Sequence, residues 1–251
     1  MLAKSARVFL CTTLSVIGLL GLRGPILADD KADFDRLAQQ WDEQMTAGRY
    51  QEAEKTAMEM TRLAEGRLSE QPSLLARALN SQGVARCRQN RISDAEPAFE
   101  RALAMREKIL SAEDPDLAVS LSNLGNLYSS QSRFTEAESL LKRALAVLEK
   151  TLDPMHHDVA MRLRDLGSLY NKQGRYLEAE PFYRRFVAIQ EELLGPDAPE
   201  LAWSLHELAR ICLELFRDSE ADSLCEKAVA ILEKSLGPDS PEVAAALTHF
   251  T

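Results

Sequence analysis

One phrase recurs along the chain at a fixed interval. AGRYQEAE occupies residues 47–54, QNRISDAE 89–96, QSRFTEAE 131–138, QGRYLEAE 173–180 and LFRDSEAD 215–222. Aligned on Ala53, Ala95, Ala137, Ala179 and Ala221, every copy stands 42 residues from the next. A period between about 20 and 50 residues is the mark of stacked repeats, in which no unit buries its apolar face alone. Upstream of two copies, Leu121, Leu124, Gly125 and Tyr128 are answered by Leu163, Leu166, Gly167 and Tyr170. Downstream, LLKRALAVLEKTL (140–152) and RRFVAIQEELLG (184–195) place apolar residues three and four apart. Both patterns are helical, so each unit reads as two helices with the phrase at the turn between them.

The phrase makes local sense as a helix end followed by a helix start. Gly48, Asn90 and Gly174 suit the left-handed conformation that terminates a helix. An arginine follows in all five copies: Arg49, Arg91, Arg133, Arg175 and Arg217. It is expected to pair with the acid three residues on, as Arg133 with Glu136. Ser93 with Glu96, and Thr135 with Glu138, have the spacing of a capping box. That places Pro97 and Pro181 in the first helical turn, where no backbone donor is lost. Gly83, Gly125, Gly167 and Ala209 share one slot on the first helix. A mid-helix glycine costs about 1 kcal/mol relative to alanine. Its repetition implies a tight crossing, expected against Ala95, Ala137, Ala179 and Ala221.

The order Gly125, Tyr128, Ala137, Leu141, Ala144 resembles the tetratricopeptide repeat signature. The 42-residue period, with LGPDAPELAWSL (194–205) and AEPFYRRFVAIQEELLG (179–195), is similar to the kinesin-light-chain type of that repeat. The resemblance covers residues 32–251. It implies an all-α, right-handed superhelical solenoid of antiparallel helix hairpins whose first helices line a concave groove. The organisation then reads as a degenerate capping repeat at 29–73, repeats at 74–115, 116–157, 158–199 and 200–239, and an unpaired capping helix at 240–251. Departures from the signature are Trp41 in the small slot, Arg86 and Cys212 in place of tyrosine, and Phe186 in place of an alanine.

The first 28 residues differ from the rest. Lys4 and Arg7 precede the apolar run 8–22, and Pro25 and Ala28 follow it, matching a secretory signal cut after Ala28. An exported protein, periplasmic or secreted, is expected; the alternative is a membrane anchor formed by an uncleaved 8–22, a run shorter than the roughly 20 residues of a bilayer span. Cleavage removes three of 30 basic residues and none of 39 acidic ones, moving the net charge from −9 to −12. Such a chain lacks the basic footprint that nucleic acid or anionic lipid requires. Of four cysteines, Cys87, Cys212 and Cys225 would remain, an odd number and no disulfide scaffold. The expected seven-residue stagger of Cys212 and Cys225 along their hairpin separates them by roughly 10 Å, too far for a bridge. They read as small buried fillers.

Candidate chemistry is sparse. His156 and His157, between Asp153 and Asp158, fall in the loop joining hairpins and read as loop residues, with no metal or cofactor expected. The sequence has no glycine-rich phosphate loop, HExxH or GxSxG. A non-catalytic role is expected. Carried over from the family, the groove-lining slots are Arg77, Asn80, Val84, Arg88, Ser122, Asn126, Arg164, Ser168, Asn171, Lys172, Trp203, His206 and Arg210. These include basic residues and no acid, so the expected ligand is a peptide or protein segment with acidic side chains, anchored on Trp203. The alternative reading is self-association through 240–251 into a homo-oligomer.

Overall fold

A computed structural model describes residues 23–237, 240, 243 and 244. Among them are ten α-helices and no strand: α1 (Arg23–Thr46), α2 (Tyr50–Gly66), α3 (Pro72–Arg88), α4 (Ile92–Ile109), α5 (Pro115–Ser130), α6 (Phe134–Thr151), α7 (His157–Lys172), α8 (Tyr176–Leu194), α9 (Pro199–Glu214) and α10 (Asp218–Leu236). The apolar run 8–22 and the signal-like 1–22 lie outside the described residues. So does most of 240–251, of which Ser240 caps the amide of Val243 (3.1 Å) and Val243 is fully buried. No described helix is long and apolar enough to cross a membrane.

The helices form two compact units that divide after Met105. In the first, α1 packs on α2 and α2 on α3, around Phe34, Met60 and Leu68 with Trp41 alongside. In the second, the hairpins α5/α6, α7/α8 and α9/α10 stack in chain order, through contacts of α6 with α7 and of α8 with α9. Arg106 begins this unit, buried, its guanidinium donating to the Asp116 carbonyl (2.6 Å) and to Ser120 Oγ (3.0 Å).

Each hairpin turn closes in the same way. The arginine amide reaches back five residues to a carbonyl, as Arg49 to Gln44 (2.8 Å) and Arg175 to Tyr170 (2.9 Å). The residue before it is left-handed, at φ 70° in Gly48, 61° in Asn90 and 68° in Gly174 as expected. Ser132 (61°) and Phe216 (57°) adopt the same conformation without being glycine or asparagine. This double hydrogen-bonded helix end fixes the turn regardless of side chain.

The second helices begin earlier than the capping-box spacing implied. Arg133 is the N-cap residue of α6, without a side-chain cap, so Thr135 lies inside the helix. Ser93 likewise falls within α4. Pro97 and Pro181 therefore sit in the second turn and each removes a helical donor. Glu138, freed from capping, accepts from Arg175 (2.8 Å), from Tyr170 Oη (2.9 Å) and from Lys142 (2.7 Å). Arg175 also pairs with Glu178, as expected of the acid three residues on. The arginine of one phrase thus reaches the second acid of the preceding phrase, 37 residues back. Arg91 does the same to Glu54 (2.6 Å) and Arg217 to Glu180. Arg86, standing where tyrosine is usual, also donates to Glu54 (2.9 Å), just as Tyr170 does to Glu138. A second ladder links the second helices at an offset of 36: Arg101–Glu65, Arg143–Glu107, Arg185–Glu149 and Lys227–Glu191, all within 2.7–2.9 Å.

The glycine slot is tight, but against a different partner from the one expected. A Cβ on Gly83 would lie 2.5 Å from the Phe99 ring, one on Gly125 2.9 Å from Leu141, and one on Gly167 2.9 Å from Tyr183. The facing residue is the one four beyond each alanine. The small slot therefore admits a bulky side chain of the second helix, and the alanines lie elsewhere in the buried seam. In the first repeat the sizes are exchanged in register, with Trp41 in the slot and Ala57 sixteen residues on.

Candidate functional site

The first-helix residues assigned to a groove separate into distinct environments. In the first unit Arg77 and Arg88 are exposed, while Asn80 is only 5% exposed and belongs to the interior. In the second unit Ser122 and His206 are also buried, which removes them as ligand contacts. Ser122 donates to the Val119 carbonyl (3.1 Å) and receives Arg162 of α7. Their position, three residues before the glycine slot, faces the neighbouring first helix when the side chain is short. Only a long one such as Arg164 emerges into solvent. Asn126 is exposed and hydrogen-bonds Asp165, and Lys172 Nζ approaches Ser129 Oγ (3.4 Å). Asn171 and Ser168 hydrogen-bond the buried Tyr183 hydroxyl, whose pKa burial pushes up to about 12. Arg210 pairs with Glu207 (3.5 Å).

Of the assigned residues, Arg164 and Trp203 come together, in a groove of ≈ 630 Å³ between α7 and α9. One wall is α7, with His157, Met161 and Arg164; the other is α9, with Glu200, Trp203, Ser204 and Glu207. The floor comes from α8: Phe186, Gln190 and Leu194, spaced by four residues along one face. Phe186 explains why the groove is there. Its slot holds buried Ala102, Ala144 and Ala228 in other repeats. With Ala144 below them α5 and α7 touch, whereas α7 and α9, above Phe186, approach less closely. The ring is itself only 5% exposed, and Trp203 is 47% exposed at the rim.

The electrostatics differ from the expected acid-free surface. Glu200 and Glu207 line the groove beside Trp203. Asp165 lies behind Arg164, its side chain 10% exposed, 3.4 Å from Arg162 and 4.0 Å from Arg164. Burial raises its pKa above the ordinary aspartate value, opposed by Arg162 and the Asn126 hydrogen bond. The floor residues escaped the sequence reading because the family convention places the groove on first helices alone. The signal that marks them is Phe186 in an alanine slot.

The two histidines have a structural place: His156 is the N-cap of α7, its Nδ1 accepting from the Asp158 amide (3.1 Å), and His157 opens the helix. No group of three or more metal-ligating side chains occurs among the described residues. Cys87, Cys212 and Cys225 are free thiols, Cys212 fully buried but Cys87 and Cys225 only partly, so two of the three are not closed fillers.

The comparison with known families decides the fold class. A tetratricopeptide repeat model matches residues 74–150 and 158–234, and a second such model matches 122–192. The chain is a tetratricopeptide repeat protein. Its repeats are of the kinesin-light-chain type, in an all-α superhelical repeat class. A Podosopora anserina structure described as kinesin light chain with nearly identical TPR-like repeats is 25% identical, covers 84% of this chain and 98% of its own, and has a TM-score of 0.67. BtubC (BKLC) from P. vanneervenii shares the fold at 18% identity and TM-score 0.71, over 86% of this chain and 93% of its own. PilW, a type IV pilus biogenesis factor, shares it at 19% and 0.54, over 85% and 98%. No curated protein matches by sequence. As a tetratricopeptide repeat protein the chain is a protein-interaction scaffold.

Proposed function

We propose that the protein is an exported, non-catalytic interaction module that holds a segment of another protein in the groove between α7 and α9. The observation that carries this reading is the half-exposed indole of Trp203 over an apolar floor made by Phe186. A large aromatic side chain left at a groove rim is the usual anchor of a recognition surface. Tetratricopeptide repeats occupy residues 74–150 and 158–234, and units of this kind act by presenting side chains to other proteins. Export to the periplasm or the medium is supported by the basic-apolar-small pattern of 1–28.

Two measurements test the reading. Panning a displayed peptide library against the protein yields binders that lose at least tenfold in affinity, about 1.4 kcal/mol, to Trp203→Ala; binders indifferent to that change would overturn the groove. Intact mass of the protein recovered from its producing cells is expected to lack residues 1–28, and a full-length mass would overturn export by cleavage.

A further inference from the structure

Resting on that reading, the groove itself points to the chemistry of its occupant. Gln190 is 6% exposed, lines the floor, and its side-chain amide makes no hydrogen bond to any described residue. Its polar atoms still reach the open groove, so they can exchange water for a ligand's donor and acceptor at little cost. A primary amide offers a donor and an acceptor together, the complement of one peptide group. A helix has no such group free along its length, whereas an extended segment presents one at every residue.

Charge selects further. Arg164 lies 4.0 Å from Asp165, and Glu207 lies 3.5 Å from Arg210, so both are offset within the protein. Glu200, exposed and one turn from Trp203, has no ionic partner among the described residues. The chain as a whole is acidic, at −9, which steers cations inward. We infer that the groove takes an extended peptide segment in which an apolar side chain, seated on Phe186 beside Trp203, is followed by a lysine or arginine that faces Glu200, while one backbone amide pairs with Gln190.

The test uses N-acetylated, C-amidated ten-residue peptides carrying a central Leu, Met or Phe with Lys, Ser or Glu placed one to four residues on, titrated by isothermal calorimetry. The expected best binders are apolar-lysine peptides, about tenfold tighter than their glutamate counterparts. Glu200→Lys inverts that preference. Gln190→Leu weakens the best binder about tenfold, and N-methylation of the peptide's central amides weakens binding to the unaltered protein but no further to Gln190→Leu. A preference for glutamate, for a helix-stapled peptide, or one indifferent to both substitutions overturns this assignment. If those peptides still lose binding with Trp203→Ala, the interaction reading survives it. If no peptide in the set binds, this assignment falls, while binders from the displayed library that depend on Trp203 would keep the broader reading.

Discussion

Phe216 is a bulky residue held left-handed at φ 57° with 93% of its surface exposed. An L side chain there costs roughly 1–2 kcal/mol, and glycine returns part of that through its freer unfolded chain. Phe216→Gly is therefore expected to stabilise by about 0.5–1 kcal/mol, read as a shift in urea midpoint; a loss would mean the ring packs on something in solution. Gly83 presents the opposite case. Gly83→Ala gains helix propensity but drives a methyl to 2.5 Å from the Phe99 ring. Overpacking of this kind costs about 1–3 kcal/mol, so a net fall in melting temperature is expected, recovered in part by Phe99→Leu. An unchanged melting temperature would show that the ring moves aside freely.

At the scale of helices, two partly buried acids on the neighbouring helices α6 and α7 are set against each other. Glu138 is held at a pKa of about 2, chiefly by the Lys142 hydrogen bond and then by Arg175 and Tyr170, against the opposing effect of burial. Its unfolded value is higher, so the stability it contributes is full above about pH 4.5 and is lost as pH falls toward 2. Asp165 shifts the other way: its raised value means that ionisation near neutrality works against folding, and acid relieves it. Glu138→Gln is expected to lower stability at pH 7 by about 1–3 kcal/mol, and the difference should vanish near pH 2. Asp165→Asn should raise the melting temperature at pH 7, with a margin that shrinks on acidification. Melting curves across pH 2–8 check both, and parallel profiles would refute the opposition. The hairpins themselves were legible from periodicity, because stacking two helices demands apolar residues at three and four. The helix starts were not: Thr135 and Glu138 have capping spacing, yet the arginine-ended turn pulls the helix back to Phe134 and sends Glu138 to another repeat. Spacing within one phrase cannot reveal a bond made 37 residues away.

For the molecule as a whole, the interval of 42 disclosed the architecture, since any repeat that must bury its face on a neighbour keeps a constant length. It disclosed the site only in part. Of the residues expected by slot, Arg164 and Trp203 line the candidate groove, whereas Phe186, Gln190 and Glu200 come to line it through the way neighbouring helices stack. Asn80, Ser122 and His206 occupy the same slot as Arg164 but are too short to leave the interior. The two ion ladders, at offsets of 37 and 36, have a further bearing on how such a chain can change length. A copy of 158–199 placed after Gly195 and its loop, at residue 199, would bring Glu180 opposite the new Arg175 and Glu149's successor, Glu191, opposite the new Arg185. Every rung would find its mate without alteration. The enlarged protein is expected to fold and to melt higher, as added interior repeats do in solenoids; a lower transition would show that junctions are not interchangeable. Insertion of a single residue inside one of these helices would instead turn everything beyond it by about 100° and break the rungs that helix carries. Growth by whole repeats is thus compatible with both ladders, and growth by part of a turn within a helix carries an electrostatic fault.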